Sequence, residues 1–577
     1  AVANTLSLGA VFIPVAFTRG LIGRFFNEFG ITVAVTVFAS TLTALTLTPM
    51  LCSKLLRAPG AHGRLFGLSE SVFRGMEGGY RWILDRAFNH RFLTVLLGIV
   101  AFASGLWFFN QLSTEFSPDV DRGEFMLMFE IPEGGTLRAT DEFAQKIEAV
   151  LKQTPEIKHQ FLAIGLSRGG PGKVNEGIAF VKMTDREERA RHQTEVMEEL
   201  RGRFGALPDG RVFVLEQSGG PGGGAPLQVA LKGFDLNELA RQQELVMAWM
   251  REQPEFVGVN SNLKMNKPQV DVTINRDKAS EMGISAADIA NTLRFLLGEP
   301  EISEIERRSE RYEVIPEVAD RGQQVPEMLR DLYVRSTAGE LVAMGNLVEI
   351  EETIGPSEIH HFNRIRSATI SASNPPQVAL GDALARLEEY LAEELPAGIN
   401  YELTGEAQDF QESFFYLSIA LVFSVVFIYL ILSAQFESFL YPLSILMALP
   451  LATAGAFGLL WILDMTFNIF SFIGLIMLMG MATKNAILLV DYTKVLVLRG
   501  REHVAAAKEA ARTRFRPVLM TALSTILGMM PIALGYGAGG EARAPLGIAV
   551  AAGMFTSTVL TLVVVPVVYT LFDALQT

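Results

Sequence analysis

The chain has 577 residues, of which 49% are hydrophobic, and a net charge of −14; its mean hydropathy is +0.29. That is too apolar for an ordinary soluble protein and too polar for one made only of membrane helices, so a mixed architecture follows. The acidic balance argues against a nucleic-acid binder, and the single cysteine, Cys52, excludes an internal disulfide and a thiolate metal cluster.

Apolar runs long enough to span a bilayer, or nearly so, lie at about 1–18, 31–53, 92–111, 413–433, 439–463, 469–492, 517–536 and 546–572. The first residues, AVANTLSLGAVFIPVAF, have no basic n-region and do not read as a signal peptide. The chain is expected to begin inside a membrane helix. Two links between runs are basic. One, at 57–91, follows the pair of helices in 1–56; with Lys54 just before it, it carries Arg57, Arg64, Arg74, Arg81, Arg86 and Arg91. The other, at 494–516, carries Lys494, Arg499, Arg501, Lys508, Arg512, Arg514 and Arg516. The positive-inside rule puts both in the cytoplasm, so residues 112–410 fall in the periplasm of a double-membrane bacterium.

Within 112–410, strand and helix signals alternate. EFMLMFEI (124–131) predicts a strand, LRATDEFAQKIEAVLKQ (137–153) a helix and GIAFVKM (177–183) a strand. EERARHQTEVMEELRGRF (187–204) predicts a helix and RVFVLEQ (211–217) a strand. After the glycine-rich SGGPGGGAP (218–226) the pattern restarts with PLQVALKG (226–233) and LNELARQQELVMAWMRE (236–252). It closes with SATISAS (367–373), LGDALARLEEYLAEEL (380–395) and INYEL (399–403). This βαβ-type order predicts small open sheets backed by helices. A different insert, about 272–357, holds short strands such as RYEVIPEV (311–318) and DLYVRST (331–337).

The chain repeats itself. GITVAVTVFASTLTALTLTP (30–49) aligns without a gap on GIAVAAGMFTSTVLTLVVVP (547–566), matching Gly30 to Gly547, Phe38 to Phe555, Ser40 to Ser557, Thr41 to Thr558 and Pro49 to Pro566. Leu8-Gly9 likewise echoes Leu527-Gly528. Parallel repeats of this kind are a transporter trait. The first two helices are therefore expected to end one repeat and the last two to end a second, which makes the chain a fragment lacking most of its first repeat.

Lys484 stands in FSFIGLIMLMGMATKNAILLV (470–490), where a charge at mid-membrane costs roughly 2.5–3.5 kcal/mol on insertion scales. Either it snorkels to the surface, or it pairs with an acidic residue on a helix this chain lacks. Asp491, seven residues on, is about 10.5 Å along the axis and too far to be a close partner. Arg514 and Thr521, also seven apart, share a face of the next span. Arg514 reads alone as a positive-inside anchor, and Thr521 alone as a hydroxyl bonded to its own helix. SRGGPGK (167–173) lacks the first glycine of a P-loop and is followed by Val174; no HExxH is present, and the pair His360-His361 reads as surface strand.

The segments FIGLIMLMGMATKNAILLVDYTK (472–494), RFRPVLMTALSTILGMMPIALGYGAGGEARAPLGIAV (514–550), SLGAVFIPVAFTRGLIGRFFNEFGITV (7–33) and FSPDVDRGEFMLM (116–128) resemble the resistance-nodulation-division efflux pumps, in their hydrophobe/amphiphile branch. The resemblance implies an α-helical polytopic membrane domain plus an α+β periplasmic porter and docking domain with ferredoxin-like sheets. The porter subdomains would be 112–271 and 358–410, the docking lobe 272–357, and residues 411–577 five transmembrane helices with the proton relay. It implies a proton-driven homotrimer in the inner membrane. Such a trimer captures amphiphilic compounds and passes them through a periplasmic adaptor and an outer-membrane channel, with no cofactor and no enzymatic chemistry. Lys484, Arg514 and Thr521 match the relay, whose aspartates belong to a helix not in this chain. Met126, Met128, Phe180 and Leu162 match the substrate path, although Met126, Met128 and Phe180 read equally as sheet core and Leu162 replaces an aromatic. The loop 164–176, IGLSRGGPGKVNE, departs from the usual phenylalanines. A heavy-metal exporter of the same superfamily and a non-transporting, membrane-anchored export factor are the alternatives; of three methionines a metal pump uses, only Met128 matches.

Overall fold

A computed structural model describes residues 2–18, 20–55, 64–118, 120–167, 170–216, 225–298, 300–308, 310–316, 326–537 and 539–576. Most of the glycine-rich segment 218–226, the linker's 57–63, and parts of the expected loop 164–176 and strand 311–318 lie outside the described residues.

The chain opens with α1 (Val2–Ala16), α2 (Gly20–Leu45), α3 (Leu47–Leu55), α4 (Arg64–Asn89) and α5 (Arg91–Gln111). The soluble region follows with β1 (Glu124–Glu130), α6 (Leu137–Lys152), β2 (Ile157–Ile164), β3 (Leu166–Ser167), β4 (Gly170–Pro171), β5 (Glu176–Met183), α7 (Gln193–Gly205) and β6 (Arg211–Glu216). Next come β7 (Leu227–Lys232), α8 (Leu236–Glu252), β8 (Val257–Ser261), β9 (Lys267–Ile274), α9 (Arg276–Glu281), α10 (Ala286–Leu297), β10 (Ser303–Arg307), β11 (Glu310–Val314), α11 (Pro326–Arg330), β12 (Tyr333–Arg335), β13 (Leu341–Ala343) and β14 (Val348–Gly355). The sheet region ends with β15 (His360–Phe362), β16 (Ile365–Ser373), α12 (Leu380–Glu394) and β17 (Asn400–Leu403). The chain then returns to helices with α13 (Gly405–Phe436), α14 (Tyr441–Leu446), α15 (Ala448–Ile462), α16 (Ile469–Leu498), α17 (His503–Ala533) and α18 (Gly540–Gln576).

Among the described residues seven helices are long and apolar enough to cross a membrane: Phe26–Leu55, Arg91–Gln111, Gly405–Phe436, Tyr441–Ile462, Ile469–Leu498, His503–Ala533 and Gly540–Ala574. The first expected run forms the 15-residue α1, which buries Val11, Phe12 and Val15 in the same core as α13, α15 and α16. Hydroxyls on the apolar helices bond back to their own turns, as Thr36 does to the Thr32 carbonyl and Thr43 to that of Ala39. In lipid no water would satisfy them.

The repeat seen in the sequence recurs in the packing. A Cβ on Gly30 would lie 3.0 Å from Ala16 Cβ, and one on Gly547 2.8 Å from Ala533 Cα. Residues 16 and 533 carry the same offset as 30 and 547. Each glycine thus marks the point where its helix meets the preceding one.

The first sheet has strand order β2-β5-β1-β6, with every neighbouring pair antiparallel. The expected β1–α6–β5 order thus gains a strand: β2 follows α6, and β5 lies between it and β1. Phe125, Leu127 and Phe129 pack against Phe143, Ile147 and Leu151 of α6 and Val196, Leu200 and Phe204 of α7. The second sheet repeats the scheme: β7 lies between β16 and β17, and β8 and β15 share the outer edge of β16. Its core joins Leu227, Val229 and Leu231 to Leu239, Val246 and Met250 of α8 and Leu384, Leu387 and Leu391 of α12. Strands β2 and β8 had no clear signal in the sequence.

Three boundaries differ from expectation. The helix expected from 187 starts at Gln193, because Arg189 turns its guanidinium inward onto Asp121. The insert begins with β9, whose pairing with β14 runs from Lys267↔Gly355 to Ile274↔Val348, so a two-stranded ribbon carries it. It has a core of its own around Ile284, Ile289, Val334, Met344 and Leu347. The basic linker is helical from Arg64 to Asn89, and the basic residues 508–516 belong to α17 rather than to a loop.

The sheets and the basic segments sit at opposite ends of the bundle. Residues 113–115 below the first sheet zip onto the α15–α16 turn: Phe467 N donates to Ser113 O (2.8 Å) and Glu115 N to Phe467 O (3.2 Å). At the other end α4 meets the start of α17, with Lys508 Nζ 2.8 Å from Asp85 Oδ1 and Arg516 Nη2 2.9 Å from Glu70 Oε1.

Candidate functional site

The helix carrying Lys484 is fixed at its start by a capping box. Ser471 N donates to Asn468 Oδ1 (3.1 Å), and Asn468 N donates to Ser471 Oγ (2.7 Å). Along most of its length α16 is buried, as at Leu475, Leu478, Ala482, Ala486 and Leu489. Small residues bring its neighbours close: a Cβ on Gly553 of α18 would overlap the Leu478 side chain, and one on Gly455 of α15 would overlap Thr556.

One lengthwise stripe of α16 is less covered. Ile473, Met477, Met481, Lys484, Leu488 and Asp491 recur at three- and four-residue spacing, which is one face of a helix. All are half-buried except Lys484 and Asp491, which are exposed, whereas Thr483 and Asn485 beside Lys484 are buried. Among the described residues the Lys484 ammonium forms no ion pair. On α17 a matching exposed face runs through Thr513, Pro517, Met520, Thr521, Ser524, Leu527 and Pro531. Thr521 lies on it, its hydroxyl donating to Val518 O (2.9 Å). Arg514 lies elsewhere. Its guanidinium stands 4.7 Å from the centroid of the Tyr492 ring on α16, and its Nε has no hydrogen-bond partner among the described residues. The structure thus places Lys484 and Thr521 on exposed faces and Arg514 at the α16–α17 contact.

In the first sheet, register decides what faces outward. Met126 pairs with Phe180 and Met128 with Ile178; these side chains point away from α6 and α7. Phe161 joins them, its ring 6.4 Å from that of Phe180. Leu162 pairs with Ala179 and packs on the helix side instead. Met126 is 3% exposed and Phe180 41%, so the strip passes from cover to solvent along its length. Between this face and the second sheet lies a cleft of about 620 Å³, lined by Met128, Ile178, Phe213 and Leu215 on one wall and by Gln228, Asn260 and Ser371 on the other. Charged groups close its end. Lys264 pairs with Glu130, and Lys173 Nζ lies 3.2 Å from Glu133 Oε1 and 3.5 Å from Glu358 Oε1. His360 Nε2 is 3.2 Å from Glu358 Oε2.

A further group went unread in the sequence. Asp121, within the quoted stretch 116–128, has a side chain only 1% exposed. It pairs with Arg189 and accepts from Gln193 N and Gly123 N, each at 3.1 Å. His192 Nε2 lies 3.6 Å from Asp121 and 3.9 Å from Glu541, so the first sheet touches the start of α18 here. Burial raises the Asp121 carboxyl, but the Arg189 bond, the Gln193 N–H and the charges of Arg189 and His192 outweigh it and hold it below the usual range. No run of the sequence signals this cluster, because Asp121 lies 68 residues from Arg189 and 72 from Gln193.

The sequence matches a family model described as the AcrB/AcrD/AcrF family over residues 1–573. It is similar to an uncharacterized transporter of Haemophilus influenzae, 30% identical over 578 residues, covering 98% of this chain and 56% of that protein. Multidrug resistance protein MdtC of Proteus mirabilis is 30% identical over 583 residues, covering 99% and 56%. The Escherichia coli protein of the same name is 29% identical over 586 residues, covering 99% and 56%. The chain spans about half the length of the curated relatives it matches.

Proposed function

Because the chain belongs to the AcrB/AcrD/AcrF family, the resistance-nodulation-division permeases, we propose that it forms part of a proton-driven efflux transporter for amphiphilic compounds. It is a multi-pass inner-membrane protein, and the sheets at 112–410 are its periplasmic part. In this reading both sheets are ferredoxin-like porter subdomains and the ribbon-borne insert 267–355 is the docking lobe. The protein works as a homotrimer with an adaptor and an outer-membrane channel.

The observation that carries the reading is the open stripe on α16 with Lys484 at its centre. A buried helix that leaves one continuous face uncovered, and puts a cation in the middle of it, needs a partner surface there. That surface would bring carboxylates to Lys484. While they are ionised, Lys484 is held; when a proton neutralises them, the pair is reset. The changed charge balance then biases one of two helix packings, which is what coupling requires. Thr521, exposed on the neighbouring helix, is placed to contact the same surface, and Arg514 holds α16 and α17 together at the cytoplasmic end. Met126, Met128 and Phe180 line the substrate path, where methionine and phenylalanine adapt to varied shapes. Leu162, on the helix side, positions the strand that carries Phe161.

The heavy-metal alternative is set aside, since the MdtC relatives are named for multidrug resistance. The test is Lys484→Ala in the full-length protein. Drug resistance should be lost while the trimer still assembles; retained resistance would defeat the relay assignment.

A further inference from the structure

The cleft face of the first sheet is built in three rows. Phe161, Phe180, Met126 and Leu215 form one; Ala163, Ile178, Met128 and Phe213 form the next; Glu176, Glu130 and Arg211 form the last. Two apolar rows thus end in a charged one, an order that suits a molecule with a greasy body and a polar head.

The two glutamates of the charged row stand directly opposite each other, an arrangement that repels unless cations intervene. For Glu130 they do: Arg211 Nη2 lies 2.7 Å away and Lys264 bonds its other oxygen. Lys173 is occupied as well, by Glu133, Glu358 and the Ser357 hydroxyl. Glu176 is different. Among the described residues its carboxylate forms neither an ion pair nor a side-chain hydrogen bond, yet it lines the cleft. Burial pushes its carboxyl above the usual range; Lys264 and Lys173 oppose this in part, and Glu130 and Glu133 add to it. A bound cation would relieve both the burial and the repulsion.

We propose that Glu176 is the headgroup receptor of this cleft and makes it select cationic amphiphiles, with the apolar tail along Ile178, Met128 and Phe213. This rests on the efflux reading above. It adds a charge preference that the apolar rows alone would not give, since an apolar wall accepts tails whatever head they carry. Lys264 and Lys173 are held by other carboxylates and offset the burial of Glu176 only in part, so among the described residues Glu176 has no direct cationic partner.

The test uses the full-length protein in an efflux-deficient host and two detergents with one tail and opposite heads, dodecyltrimethylammonium and dodecyl sulfate. For Glu176→Gln, which keeps shape and removes charge, resistance to the ammonium compound should fall about tenfold, the scale of one charge-assisted contact. Resistance to the sulfate should stay unchanged. Glu176→Lys should lose the ammonium compound further and retain or gain the sulfate. If wild type exports both and Glu176→Gln affects neither, or both equally, the headgroup role is overturned while efflux stands. If wild type exports neither, the efflux reading falls and the proposal with it.

Discussion

Replacing Asp121 removes the one carboxylate among the described residues that pairs with buried Arg189. Both side chains are 1% exposed, so Asp121→Ala leaves a guanidinium in the interior with, among the described residues, only the Thr184 and Arg191 carbonyls as acceptors, at 3.1 and 2.8 Å. Breaking a buried pair from one side costs about 3–5 kcal/mol. Two backbone donors, Gly123 N and Gln193 N, also lose their acceptor. Gln193 begins α7, so the loss should be felt along that helix. Hydrogen exchange on the purified full-length protein reads this locally: amides of α7 and β1 should exchange about a hundred- to thousand-fold faster in Asp121→Ala. Asp121→Asn, which keeps an acceptor, should fall between. A double substitution with Arg189→Met should recover part of the loss, giving a coupling of about 2 kcal/mol. The pH dependence has a definite sign. Because the folded carboxyl is held below its usual value of 3.8, its stabilisation is fully present above that value and is lost as pH falls through the folded one. The gap between wild type and Asp121→Asn should therefore close under strong acid. Exchange in α7 within twofold of wild type for both single variants would refute the reasoning.

Two further substitutions test the helix bundle. Phe467 is 2% exposed and its ring meets those of Phe109, Phe414, Phe457 and Phe472, so Phe467→Ala should cost about 3–5 kcal/mol and lower the thermal transition of the detergent-purified protein. Gly455→Val, where a Cβ would already lie 2.6 Å from Ala552 O, should force α15 and α18 apart at a cost of about 1–3 kcal/mol or more. Gly75→Ala on α4, with nothing within 4 Å, should leave the same transition unchanged or raise it.

Features that repeat along the chain were legible before the structure. The 236–252 helix was bounded to the residue, since Asp235 caps it and its apolar positions keep one period. The apolar runs and the match of 30–49 to 547–566 likewise need only local pattern. Strand β2 was not legible, because Lys158, His159 and Phe161 are exposed and its edge position erases the alternation. The false helix start at 187 has a tertiary cause: EERAR is good helix sequence, overruled by the burial of Arg189 on a residue 68 positions away. Lys484 stood out by its setting alone. Glu176 did not, since its isolation depends on cross-strand register and on which cations its neighbours have already engaged. Leu162 was grouped with Met126 and Phe180, and only the pairing to Ala179 separates them.

The central claim is that Lys484 couples proton movement to export. The direct measurement is substrate-dependent proton flux in proteoliposomes holding the full-length protein, wild type beside Lys484→Met. The account predicts that adding an amphiphilic substrate drives proton flux in wild type and none in the variant, with both eluting as the same oligomer. Undiminished flux in Lys484→Met would contradict it.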